Sequence, residues 1–330
     1  MKTSYLTYKK PFSISSFFLR WEWILVGLIL VASLLLTFLS PHFLDAVNLF
    51  DMTFNFMERG FLTLTMIFLI IAGSLDFSIA STAALSSAIL GKVYLATGSI
   101  WIGLLAGLLT GLVAGAFNGL VVTRLKIPGF VATLGTLALY RGIAWIILEN
   151  IAITNLPQEF TFFGQGYIPG TIIPIPLVFY LILLIPCALI LHRSTFGRYT
   201  FAIGGNKEVC RYSGVKIDRI LLTIFIASGL MAALAGAFMS ARFASIRADI
   251  GTGMELDVVI AVVLGGVSIN GGVGTLPGVV LSLFLLGIVR FGMDLINIPT
   301  QQQIIVTGLL LIVSVYIPQV INRLTIRKTI

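Results

Sequence analysis

The sequence predicts an all-α fold, a polytopic transmembrane helix bundle of about ten spans, and three observations predict it. Composition is the first: 58% of the 330 residues are hydrophobic and only 10% are charged, with a mean hydropathy of +1.06, whereas a soluble domain carries about 25% charged residues. Such a chain cannot cover itself with polar surface in water, so its solvent is lipid. The second is a succession of apolar runs close to the roughly 20 residues that a helix needs to cross a bilayer. The third is the placement of the cations. Fifteen of the 21 Lys and Arg residues fall in four places: Lys2, Lys9, Lys10 and Arg20; Arg124 and Lys126; Arg193, Arg198, Lys207, Arg211, Lys216 and Arg219; and Arg323, Arg327 and Lys328. Cytoplasmic segments of membrane proteins carry this excess, so the formal charge of +8 calls for no nucleic acid.

Taken in order, the apolar runs are 23–40, 60–74, 79–96, 100–123, 130–148, 171–191, 220–240, 255–268, 276–296 and 303–320. With the N-terminus inside, this count places all four basic clusters, and both termini, in the cytoplasm. The connections 41–58 and 149–170 carry Asp45, Asp51, Glu58, Glu149 and Glu159 with no Lys or Arg, and are expected to face outward. The first run follows a basic arm as a secretory signal does. It ends at Ser40-Pro41-His42 without a small-residue cleavage pattern, and more spans follow, so it reads as an uncleaved first span. The runs 60–74 and 255–268 are short, and parity requires that both span or both are re-entrant. The chain thus divides into a cytoplasmic arm (1–22), one transmembrane domain (23–322) with a cytoplasmic segment at 193–219, and a cytoplasmic tail (323–330). Five spans on either side of 149–170 read either as one continuous bundle or as two inverted five-helix halves.

The fourth run carries Gly103, Gly107, Gly111, Gly115 and Gly119. A four-residue spacing keeps glycines on one slowly drifting face, where a neighbouring helix can approach to backbone contact. Polar residues at membrane depth are the second kind of signal, because an Asp or Arg there costs about 2.5–3.5 kcal/mol on insertion scales. Asp76, Asn118, Arg141 and Arg290 qualify. Arg290 has Asp294 one turn on, the spacing of a local ion pair. Asp76, in the break Gly73–Ser78, is either wetted or capping the following helix, or part of a pathway. Arg141 has Thr133, Thr136 and Tyr140 upstream on the same helix, and such a stripe is either interhelical glue or a pathway lining. Asp76, Asn118, Thr133, Thr136 and Arg141 are therefore the translocation-pathway candidates.

The 193–219 segment is either a solvated basic loop or the carrier of a short helix, 206–213, with Asn206 as its N-cap. No phosphate-binding G-x-x-x-x-G-K-[ST] motif occurs. Only His42 and His192 are present, at opposite membrane faces, so no histidine triad or metal site is indicated and no cofactor is expected. Gly265-Gly266 and Gly271-Gly272-Val273-Gly274 read as a tight break between spans. Cys187 and Cys210 are too few for a disulfide framework.

Over roughly 55–320 the sequence resembles the permease subunits of the ribose, xylose, rhamnose and autoinducer-2 class of ABC importers. Gly73 to Ser81 is similar to that family's GGIDLSVGS segment, with Ser74 and Ala80 at two of its glycines. Asn118-Gly119-Leu120, Ile127 to Thr136 and Tyr140-Arg141-Gly142 match NGLL and IPPFIVTLGT…YRG. Gly197-Arg198, Ala202 to Asn206 and Ser213-Gly214 match a GR…AIGGN…SG loop, and Gly251 to Gly274 matches GTGxELxxIAAVVxGG…GGxGT. The resemblance implies a non-enzymatic subunit of a bacterial inner membrane, surrounded by lipid and working by alternating access. It also implies a partner ATPase, a second permease copy or homologue, and a periplasmic binding protein. Gly197, Arg198, Gly204, Gly205, Asn206, Ser213 and Gly214 become the ATPase-coupling segment. Arg242 and Arg247, in the outward loop before Gly251, are candidates to pair with acidic lobes of the binding protein. The stretch Arg242–Asp249 with Glu255 and Asp257 is more similar to rhamnose or autoinducer-2 permeases than to ribose ones, with ribose and xylose still open. An ion-coupled secondary transporter working alone is the competing class.

Overall fold

A computed structural model describes residues 21–310 and 312. The basic clusters of the arm and tail, and the second half of the 303–320 run, lie outside the described residues. The chain runs through α1 (Trp21–Leu39), α2 (Ala46–Asp51) continued by a 3-10 turn (Met52–Asn55), α3 (Met57–Ile71), α4 (Ile79–Thr97), α5 (Ile100–Arg124), α6 (Gly129–Leu148) and α7 (Gln158–Gln165). It continues through α8 (Ile175–Arg193), α9 (Thr195–Gly205), α10 (Lys207–Tyr212), α11 (Ile217–Phe243), α12 (Met254–Leu264), α13 (Leu276–Leu295) and α14 (300–310). Strand pairing among the described residues is limited to two isolated bridges, Ile153 with Ile246 and Tyr167 with Pro174. The all-helical class holds.

Seven of these helices (α1, α4, α5, α6, α8, α11 and α13) are long and apolar enough to cross a membrane. The α2 segment with α3, bent by 56°, adds an eighth where the pair is counted as one broken span rather than a re-entrant loop. The expected count of about ten parts from the seven at the 303–320 run, only part of which is described, and at the two short runs. They form α3, of 15 residues, and α12, of 11. Every residue of α3 except Arg59 is buried, as is each residue of α12 from Val258 to Leu264. A helix surrounded by protein is relieved of the need to reach both lipid interfaces, which is why these two stay short. Each ends on a left-handed glycine, Gly73 (φ 72°) and Gly266 (φ 87°), with Ser74 N–H bonding Leu69 O at 2.9 Å and Val267 N–H bonding Val262 O at 3.3 Å.

The glycine face of α5 packs as its spacing requires, and its drift has a consequence. A Cβ on Gly103 or Gly107 would press on the carbonyls of Leu90 and Ser86 in α4. One on Gly111, Gly115 or Gly119 would meet Gly229, Phe225 or Leu222 in α11. The stripe therefore serves two partners in turn, holding α4 along its first half and α11 along its second.

Contacts between helix ends define two ends of the bundle. At one, the 124–130 turn, α9, α10, the start of α11 and the 265–275 break converge with the C-terminus of α3. This basic end holds Arg124, Lys126, Lys207, Arg211, Lys216 and Arg219. At the opposite end lie the 3-10 turn, the 149–174 connection with α7, the 244–253 loop and the starts of α3 and α12. There Tyr167 donates to Asp51 at 2.8 Å, a bond that raises its phenol above the ordinary tyrosine range, with burial adding to the shift.

Candidate functional site

Three polar assemblies stand out in this apolar bundle. The first centres on Asp76, in the 72–78 break between α3 and α4. Its Oδ1 accepts from the Ser78 backbone N–H at 2.9 Å and from Ser78 Oγ at 2.6 Å, and its Oδ2 accepts from Ser228 Oγ of α11 at 3.0 Å. Asn118 of α5 donates through Nδ2 to Ser78 Oγ at 2.7 Å and accepts through Oδ1 from Tyr140 of α6 at 3.1 Å. Thr133 Oγ1 accepts from Phe77 N–H at 3.1 Å. All these side chains are buried, Asp76 at 2% exposure and Ser78 and Ser228 at 0%. The carboxylate is thus not wetted; it anchors the first turn of α4 through Ser78, and its other oxygen ties that turn to α11.

Four long helices, α4, α5, α6 and α11, meet in this node. It unites Asp76, Asn118 and Thr133 from the candidates above. Thr136 is one turn removed, its Oγ1 donating to Thr133 O at 3.3 Å. Arg141 is not part of it, but reaches the opposite end and donates to Ala248 O at 2.7 Å and Ile250 O at 2.8 Å, pinning the 244–253 loop. Ser228 escaped the sequence reading, since a single serine in an apolar helix ordinarily bonds its own backbone.

The second assembly is at the basic end, where the 193–219 segment is helical rather than a loop. Asn206 caps α10 as expected, accepting from Glu208 N–H and Val209 N–H at 3.0 Å each. Gly214, at φ 77°, ends the turn after Ser213. The preceding residues form α9, capped by Ser194 Oγ accepting from Gly197 N–H at 3.1 Å. Gly197 is squeezed against the Ile190 and Leu191 carbonyls, and Gly204 against Ile71 O and the Gly272 backbone. Gly272 N–H in turn donates to Ile71 O at 2.8 Å, and Gly205 lies against Gly272. One backbone cluster thus joins the end of α9, the end of α3 and the break that follows α12, while Arg198 and every residue of α10 except Cys210 remain exposed.

The third assembly is ionic and lies at the opposite end. Asp257 of α12 bridges Arg59 of α3 at 3.0 Å and Arg290 of α13 at 2.5 Å. Arg290 therefore does not take Asp294 as its partner. The carboxylate of Asp294 instead accepts from Gln303 of α14 at 2.6 Å, because α12 brings a better-placed acid to the arginine. Arg242 belongs to the last turn of α11, not to a loop, and pairs with buried Glu58 at 3.2 Å. Arg247 pairs with Asp249 at 2.6 Å and is the more exposed of the two candidate docking cations. Asn55, Arg59, Arg242, Asp257, Arg290 and Gln303 line a cavity of about 260 Å³.

Asp257→Ala strands two guanidiniums, whereas Arg290→Ala leaves Arg59 paired. Breaking a buried pair costs about 3–5 kcal/mol, which the partial exposure here reduces to about 1–3 kcal/mol. Thermal unfolding in detergent is therefore expected to show a larger fall for Asp257→Ala, and equal falls would refute the shared-acid arrangement.

The family model for permease components of branched-chain amino acid transport systems matches residues 48–315. The chain is 33% identical over 284 residues to the ribose import permease of Bacillus subtilis (strain 168), covering 86% of this chain and 88% of that one. It is 37% identical over 304 residues to the L-arabinose transport system permease of Escherichia coli (strain K12), covering 91% and 92%. It is 34% identical over 304 residues to the autoinducer 2 import permease of Klebsiella pneumoniae, covering 90% and 91%. No solved structure matches significantly. The resemblance read from the motifs is borne out: the chain belongs to the family of transport-system permease components, as a relative of sugar and autoinducer permeases.

Proposed function

We propose that this protein is the membrane permease of a bacterial ABC importer that carries a monosaccharide or sugar-like solute inward by alternating access. In this reading a separate ATPase hydrolyses ATP, a periplasmic binding protein delivers solute, and a second permease completes the channel. The basic end faces the cytoplasm, as the positive-inside rule asks. The chain crosses ten times, with α3 and α12 each completing a crossing as a short helix plus a loop. Rhamnose and autoinducer-2 are the favoured solutes from the 242–257 stretch; the ribose and L-arabinose relatives keep pentoses in the set.

The observation that carries the proposal is the Gly204–Ile71–Gly272 backbone cluster. It joins the exposed α9–α10 segment, available to a partner, to both short helices buried in the bundle. A displacement imposed on α10 is passed to α3 and α12 without intervening flexible side chains, and the charged starts of those helices form the ionic assembly at the far end. Packed backbone of this kind moves as a unit between discrete arrangements. The Asp76 node then holds α4, α5, α6 and α11 together as a second unit against which the first moves.

The test is reconstitution of the chain with its ATPase and binding protein in liposomes. Uptake of one sugar from a panel of pentoses, deoxyhexoses and autoinducer-2 is expected only with both partners and ATP. Accumulation by the isolated chain that an uncoupler abolishes would overturn the proposal in favour of an ion-coupled carrier.

A further inference from the structure

The basic end carries a second feature, beside the Gly204–Ile71–Gly272 cluster, and it shares only the edge of α10 with the coupling segment. In the notch where the end of α5 meets the start of α11, Arg124, Arg211, Lys216 and Arg219 surround a recess of about 450 Å³, with Asp218 as the acid in its lining. All four cations are exposed, and among the described residues none of them is in an ion pair. Cations that only obey a topology rule spread into water. Here four of them, from three segments of the chain, converge on one concavity against a single carboxylate.

The surroundings identify the ligand. On the outer face of α5, Leu109, Val113 and Phe117 recur every four residues, with Leu120 beside them, and all are exposed at 45–69%. This strip leads directly to Arg124. From Val113 to Arg124 the helix rises about 16 Å, close to the roughly 15 Å hydrocarbon thickness of one leaflet. A dissolved anion would need the cations alone, whereas a phospholipid needs the cations with an apolar strip of one leaflet's depth below them. We propose that the recess holds the headgroup of an anionic phospholipid, its phosphate among Arg124, Arg211, Lys216 and Arg219 and its acyl chains along Val113 and Phe117. A lipid seated there fastens the turn between α10 and α11 to the bilayer. Basic recesses between helices on this side of a membrane suit such headgroups, at about a fivefold gain in binding per cation.

Native mass spectrometry of the purified chain, incubated with phosphatidylglycerol or with phosphatidylcholine of the same acyl chains, reads this out. Wild type is expected to retain phosphatidylglycerol severalfold better. The double variant Arg124→Gln/Arg219→Gln is expected to lose most of that preference, while Arg124→Lys/Arg219→Lys keeps it and Lys92→Gln, in α4 at the opposite end where Lys92 pairs with Glu149 at 3.2 Å, has no effect. Equal retention of the two lipids would overturn the proposal, as would an unchanged preference in the Gln variant. Loss of the preference in the Lys variant would mark the effect as merely structural. Displacement by excess inorganic phosphate would make this a site for a soluble anion, and bound lipid in the monomer but not the dimer would give the face to a second copy.

Discussion

Gly204→Leu is expected to lower solute uptake in the reconstituted importer steeply while the helices remain inserted. A side chain at this position lies within the van der Waals shell of Ile71 O and of the Gly272 backbone, and neither can rotate away as a flexible side chain would. Overpacking a tight site costs about 1–3 kcal/mol, and since about 1.4 kcal/mol is a factor of ten in an equilibrium, uptake and solute-stimulated ATP hydrolysis should fall by about fivefold to a hundredfold. Gly205→Ala is the internal control. A Cβ there meets open space in a helical residue, and activity near wild type is expected. If both variants behave alike, the backbone cluster does not transmit the motion.

Asp76→Ala should be the most damaging change of a single side chain in the bundle interior. It removes the acceptor for three donors at once, two from Ser78 and one from Ser228, and hydrogen bonds to a charged group are worth about 1.5–3 kcal/mol each. With non-additivity allowed for, a loss of about 3–5 kcal/mol is expected, read as a lowered thermal unfolding temperature in detergent with parallel loss of uptake. Asp76→Asn keeps Oδ1 as acceptor for Ser78 and presents an amide that Ser228 Oγ can accept, so it should recover most of the stability. Ser228→Ala removes one of the three bonds and should cost about 1.5–3 kcal/mol. Full stability in Asp76→Asn without uptake would show that the negative charge itself serves transport; recovery of both would leave Asp76 a fastening of the bundle.

These two sites differ in how far they could be seen from the chain alone. The α5 glycines were legible because a four-residue period needs no partner to be recognised, yet nothing in it says that Gly107 faces α4 and Gly111 faces α11. Asp76, Asn118 and Thr133 were legible as polar groups out of place in lipid. Their meeting point was not, since it depends on Ser228, 152 residues away from Asp76, and a lone serine carries no pattern. Arg290 illustrates the opposite failure. Asp294 offered a partner at helical spacing, and the pairing with Asp257 exists only because α12 folds back beside α13. Helix α9 was hidden by Gly197, Gly204 and Gly205, which oppose helix formation locally; Gly197 and Gly204 are there because the neighbouring backbone leaves no room for anything larger. In each case periodicity was readable and proximity was not.

The brevity of α12 also bears on how the protein is assembled. Eleven residues rise about 16 Å, against a hydrocarbon thickness of about 30 Å, and the loop that follows relies on α3 to pair the Gly272 N–H, through Ile71 O, and on α9 to pack against it. Released alone into lipid, this segment would expose unpaired backbone at several kcal/mol per group. It therefore settles only where earlier-made helices already offer a protein-lined berth, so biogenesis has an enforced order in which the α3 portion is laid down before the segment that closes upon it.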